Sequence, residues 1–359
     1  MKTGVSAVVE LQRNYFGVSK EPMLTNRFFT VDGFTYKSGV EAVEITIGSG
    51  TIIWTPFMGS EIWDWKIEGV SQKFEGFRSE PMYGAAFLPN YGAFLIHCGV
   101  RGMGGPSKDD THPHHGELPI STPRRAWLEI HQEDEEFPLS LRAEFHSHIP
   151  FVGAYTLTPT VKIHASGKFI VVESTLLNLA QAPFEYQYLG HLNFTYPKKG
   201  TLNYSIGEVT ENTVRVLSET FEGVTKNPEL LCNLDSTRII DPEVVAVIDH
   251  GRKAPSTYTE KPYVLSTMVD EKERITWVLA DTSTLDHTVV WLTQTPDRKA
   301  AGFALPATSG PTGFTNEKNM GNIKVLHAKE QVDFWYAFGV GDSTFESDLH
   351  STLRNRITE

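Results

Sequence analysis

Short runs of alternating or β-branched apolar residues, separated by turns that contain glycine or proline, recur along most of the chain. Residues 40–47 and 51–55 flank Gly48 to Gly50 and predict a hairpin. Helical periodicity is confined to residues 219–231 and to the last dozen residues. The same pattern predicts a three-stranded meander and four later strands, at residues 155–164, 168–178, 184–194, 275–280, 288–293, 302–305 and 332–339. Many short strands at this spacing predict an all-β fold, a large antiparallel β-sandwich with few short helices.

Composition limits the class of protein. We expect one domain over residues 1–359, with residues 1–39 as N-terminal strands or an extension, because no linker or internal repeat interrupts the chain. The formal charge of -12 argues against a nucleic-acid surface, which needs clustered lysine and arginine. No apolar run is long enough for a membrane span or a signal peptide, and Cys98 and Cys232 lie far apart. We therefore expect a cytoplasmic protein with reduced thiols; nothing in the sequence indicates an oligomeric state.

One segment carries most of the chemistry visible in the sequence. Residues 109–119 contain three histidines, three carboxylates and two prolines, and a glycine-rich stretch precedes them. A carboxylate beside a histidine sets its tautomer and basicity, and proline restricts the backbone that carries them. This segment predicts a functional site.

Several short motifs, taken in order, resemble those of aldose 1-epimerases. They are Tyr91-Gly-Ala-Phe-Leu-Ile-His-Cys-Gly99, His112-Pro-His-His-Gly-Glu-Leu-Pro119, Asn178, and Gly190-His-Leu-Asn-Phe194. The similarity is closest to a galactose mutarotase-like branch of mostly unassigned substrate, and it extends from about residue 40 to residue 339. The resemblance implies a β-sandwich with an open groove for a small-molecule sugar. It also implies ring opening by a general base and a general acid, without a metal or organic cofactor.

The resemblance implies a role for several residues. His191 matches the general acid, and in a strand it shares one face with Leu189 and Asn193. His115 and Gly116 match a pair that binds sugar hydroxyls. Further candidates for substrate contacts are polar residues beside predicted strands or turns, namely His97, Asn193, Arg78, Asp286 and His287.

The main departure from the family is the general base. The family carries a glutamate at the end of a late strand, ahead of a proline, and Leu305 occupies that position here. Glu317 in the following loop and Glu117 in the histidine-rich segment are the carboxylates predicted to replace it, with Asp286 as a further possibility.

Two other functions remain open from the sequence. His112, His114, His115 and Glu117 are metal-ligand types, and with His97 or His191 they would form the site of a metal-dependent sugar isomerase. Alternatively, the absence of the usual base at Leu305 is compatible with a protein that binds carbohydrate without converting it.

Overall fold

The structure, a computed structural model, describes residues 4–84, 86–205, 209–218, 223–250 and 263–345. In these residues every recorded strand pair is antiparallel, and the strands form two large sheets. The all-β prediction is therefore confirmed.

The first sheet has ten strands. Their order across the sheet is β1 (Ala7–Glu10), β9 (Arg125–Ile130), β10 (Leu139–Ile149), β11 (Gly153–Ile163), β12 (Phe169–Asn178), β24 (Gln331–Gly341), β20 (Ile275–Asp281), β19 (Tyr263–Asp270), β15 (Lys199–Tyr204) and β17 (Asn233–Asp235).

The second sheet has fourteen strands and carries the site described below. Its main order is β16 (Val214–Val216), β18 (Ile240–Asp249), β21 (His287–Gln294), β22 (Lys299–Ala307), β13 (Phe184–Leu192), β8 (Leu95–Val100), β6 (Glu61–Ile67), β5 (Gly50–Thr55), β4 (Glu41–Ile47), β3 (Phe29–Thr35) and β2 (Glu21–Thr25). Three short strands pair beside this path: β7 (Val70–Ser71), β14 (Phe194–Thr195) and β23 (Lys324–Leu326).

Helices are few and short in the described residues. The α-helix, α1, spans Phe314–Asn319, and 3-10 turns span Arg13–Tyr15, Leu88–Asn90, Leu118–Ile120 and Pro228–Cys232. None of these helices is long and apolar enough to cross a membrane. The helix predicted over residues 219–231 is wrong where it is described, since only the 3-10 turn overlaps it. The helix predicted for the last dozen residues lies outside the described residues.

The core lies between the two sheets. Phe338 of β24 packs its ring against Trp65 and Phe94 of the second sheet, with centroid distances of 5.6 and 5.5 Å. Tyr188 of β13 stacks on Phe334 of β24 at 4.5 Å. Because neighbouring residues in a strand point to opposite faces, Leu189 and His191 point away from this core. The outer face of the second sheet is therefore available for a site.

The predicted hairpin at residues 40–55 is confirmed by the pairing of β4 with β5. The predicted meander is only partly correct. β11 pairs with β12 as expected, but β12 then pairs with β24, and β13 pairs with β8 in the other sheet. The break at Pro183 therefore marks a crossing between layers, which places His191 on a different sheet from the strands before it.

Candidate functional site

A cavity of about 750 Å³ lies on the outer face of the second sheet. This volume is within the usual range for small-molecule sites, about 300–1,000 Å³. β13, β18, β21 and β22 provide its floor, and the rim comes from loops around residues 74–78, 87–91, 104–115 and 311–312. The side chains with polar or ionisable groups that line it are Arg78, Tyr91, His114, His115, His191, Ser218, Glu243, Trp291, Thr293, Arg298 and Thr312.

Two imidazoles meet in this cavity. The rings of His115 and His191 lie 5.0 Å apart, centroid to centroid, at an interplanar angle of 81°. Burial lowers the pKa of His191 to about 3, against a smaller opposing effect of the Asn193 side chain. Burial also lowers the pKa of His115 well below its usual value, and the neighbouring histidines add to this effect. Both side chains are therefore neutral at pH 7, each with one N–H donor and one acceptor nitrogen.

Both histidines have hydrogen-bonding capacity left over. Within the described part of the chain, Nδ1 of His115 and Nδ1 of His191 are buried and have no hydrogen-bond partner. Buried polar atoms are normally paired, because desolvation without a replacement bond is costly. These two cavity-lining residues therefore each carry one polar atom that is unpaired and closed off from solvent.

The backbone fixes the orientation of His115. Its φ is 59°, in the left-handed region that few residues other than glycine adopt. Its N–H donates to the carbonyl of Gly104 at 2.9 Å, and its carbonyl accepts from the N–H of Gly99 at 2.9 Å. These two bonds hold the strained turn, so His115 is set in place before any ligand arrives.

A second set of contacts ties the histidine-rich loop to the loop after β22. The Asp110 carboxylate accepts bonds from the N–H and hydroxyl of Thr315, at 2.9 and 2.6 Å, and from the N–H of Ser107 at 2.9 Å. These bonds hold the pKa of Asp110 well below its usual value although burial opposes the shift. His112 accepts from the Phe314 N–H at 3.4 Å. These hydrogen bonds join the histidine-rich loop to the loop after β22, so the two loops form one connected part of the rim.

Among the described residues, Glu243 is the carboxylate that lines the cavity, and the sequence reasoning missed it. Trp291 donates its indole N–H to Glu243 Oε2 at 2.6 Å. The same indole ring lies 5.5 Å from the ring of His191, centroid to centroid. Trp291 therefore contacts both the Glu243 carboxylate and the His191 imidazole, and both side chains line the same cavity.

Tyr91 and Asn193 support this arrangement from the side. The Tyr91 hydroxyl donates to Asn193 Oδ1 at 2.7 Å, and Asn193 Nδ2 donates to the Ala93 carbonyl at 2.8 Å. The Tyr91 ring lies 5.8 Å from His191 and 5.6 Å from Trp291. Asn193 was predicted to contact substrate, but it is fully buried and does not line the cavity, so it positions Tyr91 and His191 instead.

Of the predicted site residues, His115, His191 and Arg78 line the cavity. Arg78 lies at the rim, where its Nε donates to the Pro89 carbonyl at 2.7 Å. The roles predicted for these three residues stay predictions.

The structure does not bring Glu117, Gly116 or His97 to the cavity. The Glu117 carboxylate accepts hydrogen bonds from the Tyr155 hydroxyl at 2.5 Å and from the Arg101 backbone N–H at 3.3 Å, so it supports the histidine-rich loop without lining the cavity. Gly116 has φ 79°, and a Cβ there would lie 2.3 Å from the Gly99 carbonyl oxygen, so its role is close backbone packing. His97 points into the core between the sheets, where Nδ1 bonds the Tyr188 hydroxyl at 2.8 Å.

Glu317 is also placed away from the cavity, contrary to its prediction as a base. Its carboxylate is completely buried. It accepts from the Gly310 N–H at 3.1 Å, the Thr312 hydroxyl at 2.5 Å and Asn322 Nδ2 at 2.7 Å. These bonds shape the loop that forms one wall, and they leave the carboxylate no route to a ligand.

Asp286 and His287 form a separate contact at the start of β21, which lies between β18 and β22 in the sheet. His287 Nδ1 lies 2.7 Å from Asp286 Oδ1, and Lys324 pairs with the other carboxylate oxygen. Neither residue lines the cavity, so the substrate contact predicted for them is not found. They fasten β21 to β23 instead.

The geometry does not support a metal site in the histidine-rich loop. His112 directs Nδ1 to the Pro113 carbonyl at 2.8 Å, and His114 stacks on Phe87 with ring centroids 5.9 Å apart. The Glu117 carboxylate bonds Tyr155 instead, so the side chains of His112, His114 and Glu117 do not converge on one point. In the ranges that the structure describes, no group of three or more histidine, cysteine or acidic side chains is placed to hold a metal ion.

Comparison with known proteins identifies the fold. A protein from Klebsiella pneumoniae, provisionally described as an aldose 1-epimerase, is 14% identical to this chain, with a TM-score of 0.80 over 98% of this chain and 96% of that one. A protein from Escherichia coli with the same provisional description is 12% identical, with a TM-score of 0.57 over 83% and 98% of the two chains. A galactose mutarotase-like protein from Clostridium acetobutylicum is 12% identical, with a TM-score of 0.55 over 88% and 100%. The chain has the galactose mutarotase-like fold.

The sequence comparisons are less specific about function. Residues 38–216 match the family described as a domain of unknown function, DUF4432. No curated protein matches the sequence.

Within the galactose mutarotase-like fold, the departure at Leu305 has a visible consequence. Leu305 lies in the cavity wall, directly opposite Val289 in the pairing of β21 with β22. The cavity is therefore aliphatic where the resemblance implies a glutamate. Glu243, on β18, supplies a carboxylate from another strand of the same sheet.

Proposed function

We propose that this protein is a carbohydrate-active isomerase that interconverts the anomers of a sugar, as aldose 1-epimerases do. The observation that supports this most strongly is the shared cavity of Glu243 and His191, linked by Trp291. Mutarotation needs one group to accept the anomeric hydroxyl proton and another to donate to the ring oxygen, and this pair provides one of each.

In the proposed reaction, the Glu243 carboxylate accepts the proton of the anomeric hydroxyl. The bond between the anomeric carbon and the ring oxygen breaks, and the ring oxygen takes up the negative charge as an alkoxide that accepts a hydrogen bond from the N–H of neutral His191. The open-chain aldehyde rotates about its terminal C–C bond, the alkoxide attacks the other face of the carbonyl, and the new anomeric oxygen takes the proton back from Glu243. No atom is gained or lost.

Because His191 is neutral, its proposed role is that of a hydrogen-bond donor to the ring oxygen. An imidazole with a pKa of about 3 is not a stored imidazolium at pH 7. A neutral imidazole can still act as an electrophile by donating its N–H to an oxygen that is becoming negative. His115, with its unpaired Nδ1 beside His191, is suited to hold a sugar hydroxyl and orient the ring.

The test is anomeric exchange, measured by NMR exchange spectroscopy or polarimetry on a panel of aldoses with the purified protein. We expect faster exchange for at least one sugar, and a loss of about 100-fold or more in His191→Gln, the range usual for a proton-transfer group. Binding of that sugar by the variant should persist. Saturable binding without faster exchange for any sugar would instead identify a carbohydrate-binding protein, and full activity in the variant would reject His191 as the donor.

A further inference from the structure

We propose that the substrate is a sugar with a deoxy or alkyl carbon in place of a hydroxylated one, and that this carbon lies on an aliphatic floor within the cavity. The aliphatic floor consists of Leu189, Leu217, Val245, Val289 and Leu305. The proposal rests on the proposed function, because it assumes that the ligand of the cavity is a sugar.

The floor is a continuous feature of the sheet. Val289 and Leu305 are directly paired residues of β21 and β22, and Leu189 lies on the next strand, β13. Val245 lies on β18, on the other side of β21, and its carbonyl accepts from the N–H of Leu217 at 2.8 Å. Four adjacent strands therefore each place an aliphatic side chain in the cavity wall: Val245, like Leu217, is half-buried, whereas Leu189, Val289 and Leu305 are buried at its base.

Residues with polar groups lie two positions further along two of these strands. His191 follows Leu189 by two residues, and Trp291 follows Val289 by two residues, so each pair shares a face. The polar groups of His115, His191 and Glu243 therefore lie beside the aliphatic floor, and aromatic and further polar side chains line the rest of the cavity. A ligand that fits both has a hydroxylated side and an apolar side.

A fully hydroxylated sugar can turn only a C–H face of its ring to this floor, and each of its exocyclic hydroxyls has to point elsewhere. A hydroxyl placed on the aliphatic floor loses its hydrogen bonds to water and finds no acceptor or donor there. A methyl or methylene in the same place is favoured by burial. Apolar sites discriminate against an added hydroxyl by up to about 100-fold, which sets the size of the expected preference.

The experiment compares matched sugars that differ by one hydroxyl. The pairs are D-galactose with 6-deoxy-D-galactose, L-mannose with L-rhamnose, and D-glucose with 2-deoxy-D-glucose. Affinity is measured by ligand-observed NMR titration, and kcat/KM by NMR exchange. We expect the deoxy member of at least one pair to be preferred by about 10- to 100-fold.

The variant Val245→Thr keeps the shape of a half-buried floor residue and adds a hydroxyl. We expect it to reduce the preference several-fold. Val247→Thr is the control for a hydroxyl on the same strand and face, because Val247 is buried opposite Val289 and does not line the cavity. The control should keep the wild-type preference.

The outcomes separate this inference from the proposed function. Faster exchange with no preference for the deoxy member of any pair, or an unchanged preference in Val245→Thr, would overturn the inference and leave the isomerase standing. Preferential binding of a deoxy sugar without faster exchange would support the inference and contradict the isomerase. If no sugar of any pair binds, both are overturned.

Discussion

Replacing His191 by glutamine should make the stability of the fold less sensitive to acid. His191 is 4% exposed, and burial lowers its pKa to about 3 in the folded protein. In the unfolded chain the side chain is in water, with a pKa of about 6.5. Between these two values the unfolded state binds a proton that the folded state does not, so the free energy of unfolding falls as the pH falls below about 6.5.

The size of this effect follows from the two pKa values. At about pH 5 the unfolded state is stabilised by about 2 kcal/mol relative to about pH 7.5, because its imidazole is protonated and that of the folded state is not. Glutamine does not titrate, so His191→Gln should show a pH dependence smaller by about this amount. His97 and His250, whose pKa values burial lowers to about 4, and His115, whose pKa burial also lowers, should keep their own contributions.

The assay is urea unfolding of the wild type and the variant at both pH values, followed by circular dichroism. The measured quantity is the difference between the two proteins in the change of unfolding free energy with pH, so any destabilisation common to both pH values cancels. His146→Gln is the control, because His146 is exposed on β10. An equal pH dependence in His191→Gln and wild type would refute the account of a buried, neutral His191.

Three other variants test how the site is built. Gly116→Ala should destabilise the protein by about 2 kcal/mol or more, since the added Cβ would lie 2.3 Å from the Gly99 carbonyl oxygen at a φ of 79°. Gly39→Ala is the control, because Gly39 has a similar φ of 88° but lies in an open turn. Equal melting temperatures for the two variants would contradict the expected clash at Gly116. Glu317→Ala should cost about 3 kcal/mol by leaving buried donors unpaired, and an unchanged urea midpoint would show that the loop does not depend on Glu317. Trp291→Phe should lower kcat/KM for anomeric exchange at least about tenfold by removing the charge-assisted bond to Glu243, whereas wild-type kinetics would show that Glu243 needs no such support.

The sequence predicted the class of fold because strand alternation and turn residues are local signals. It also singled out His191 and His115, which line one cavity in the structure, since their motifs are each short and continuous. The sheet order was not accessible in this way. The pairing of β13 with β8 and of β12 with β24 joins strands that are distant in sequence, and no local pattern specifies it.

The same limitation explains the missed carboxylate. Glu243 stands at the start of an apolar strand, and its partner Trp291 is 48 residues away. Glu117 was the more visible candidate because it follows His115 closely in the sequence. The left-handed turn at His115 and Gly116, however, sends the two side chains in different directions, and Glu117 bonds Tyr155 instead. Proximity in sequence and proximity in space differ most where the backbone turns sharply.

The central claim is that Glu243 accepts the proton in anomeric exchange, and a comparison of carboxylate variants tests it directly. The catalysed exchange rate of one responsive aldose is measured by NMR for wild type, Glu243→Gln and Glu117→Gln. We expect Glu243→Gln to lose about 100-fold or more in the catalysed rate while it still binds the sugar, and Glu117→Gln to lose much less, because Glu117 supports the loop without lining the cavity. Wild-type exchange in Glu243→Gln, or a greater loss in Glu117→Gln, would contradict the claim.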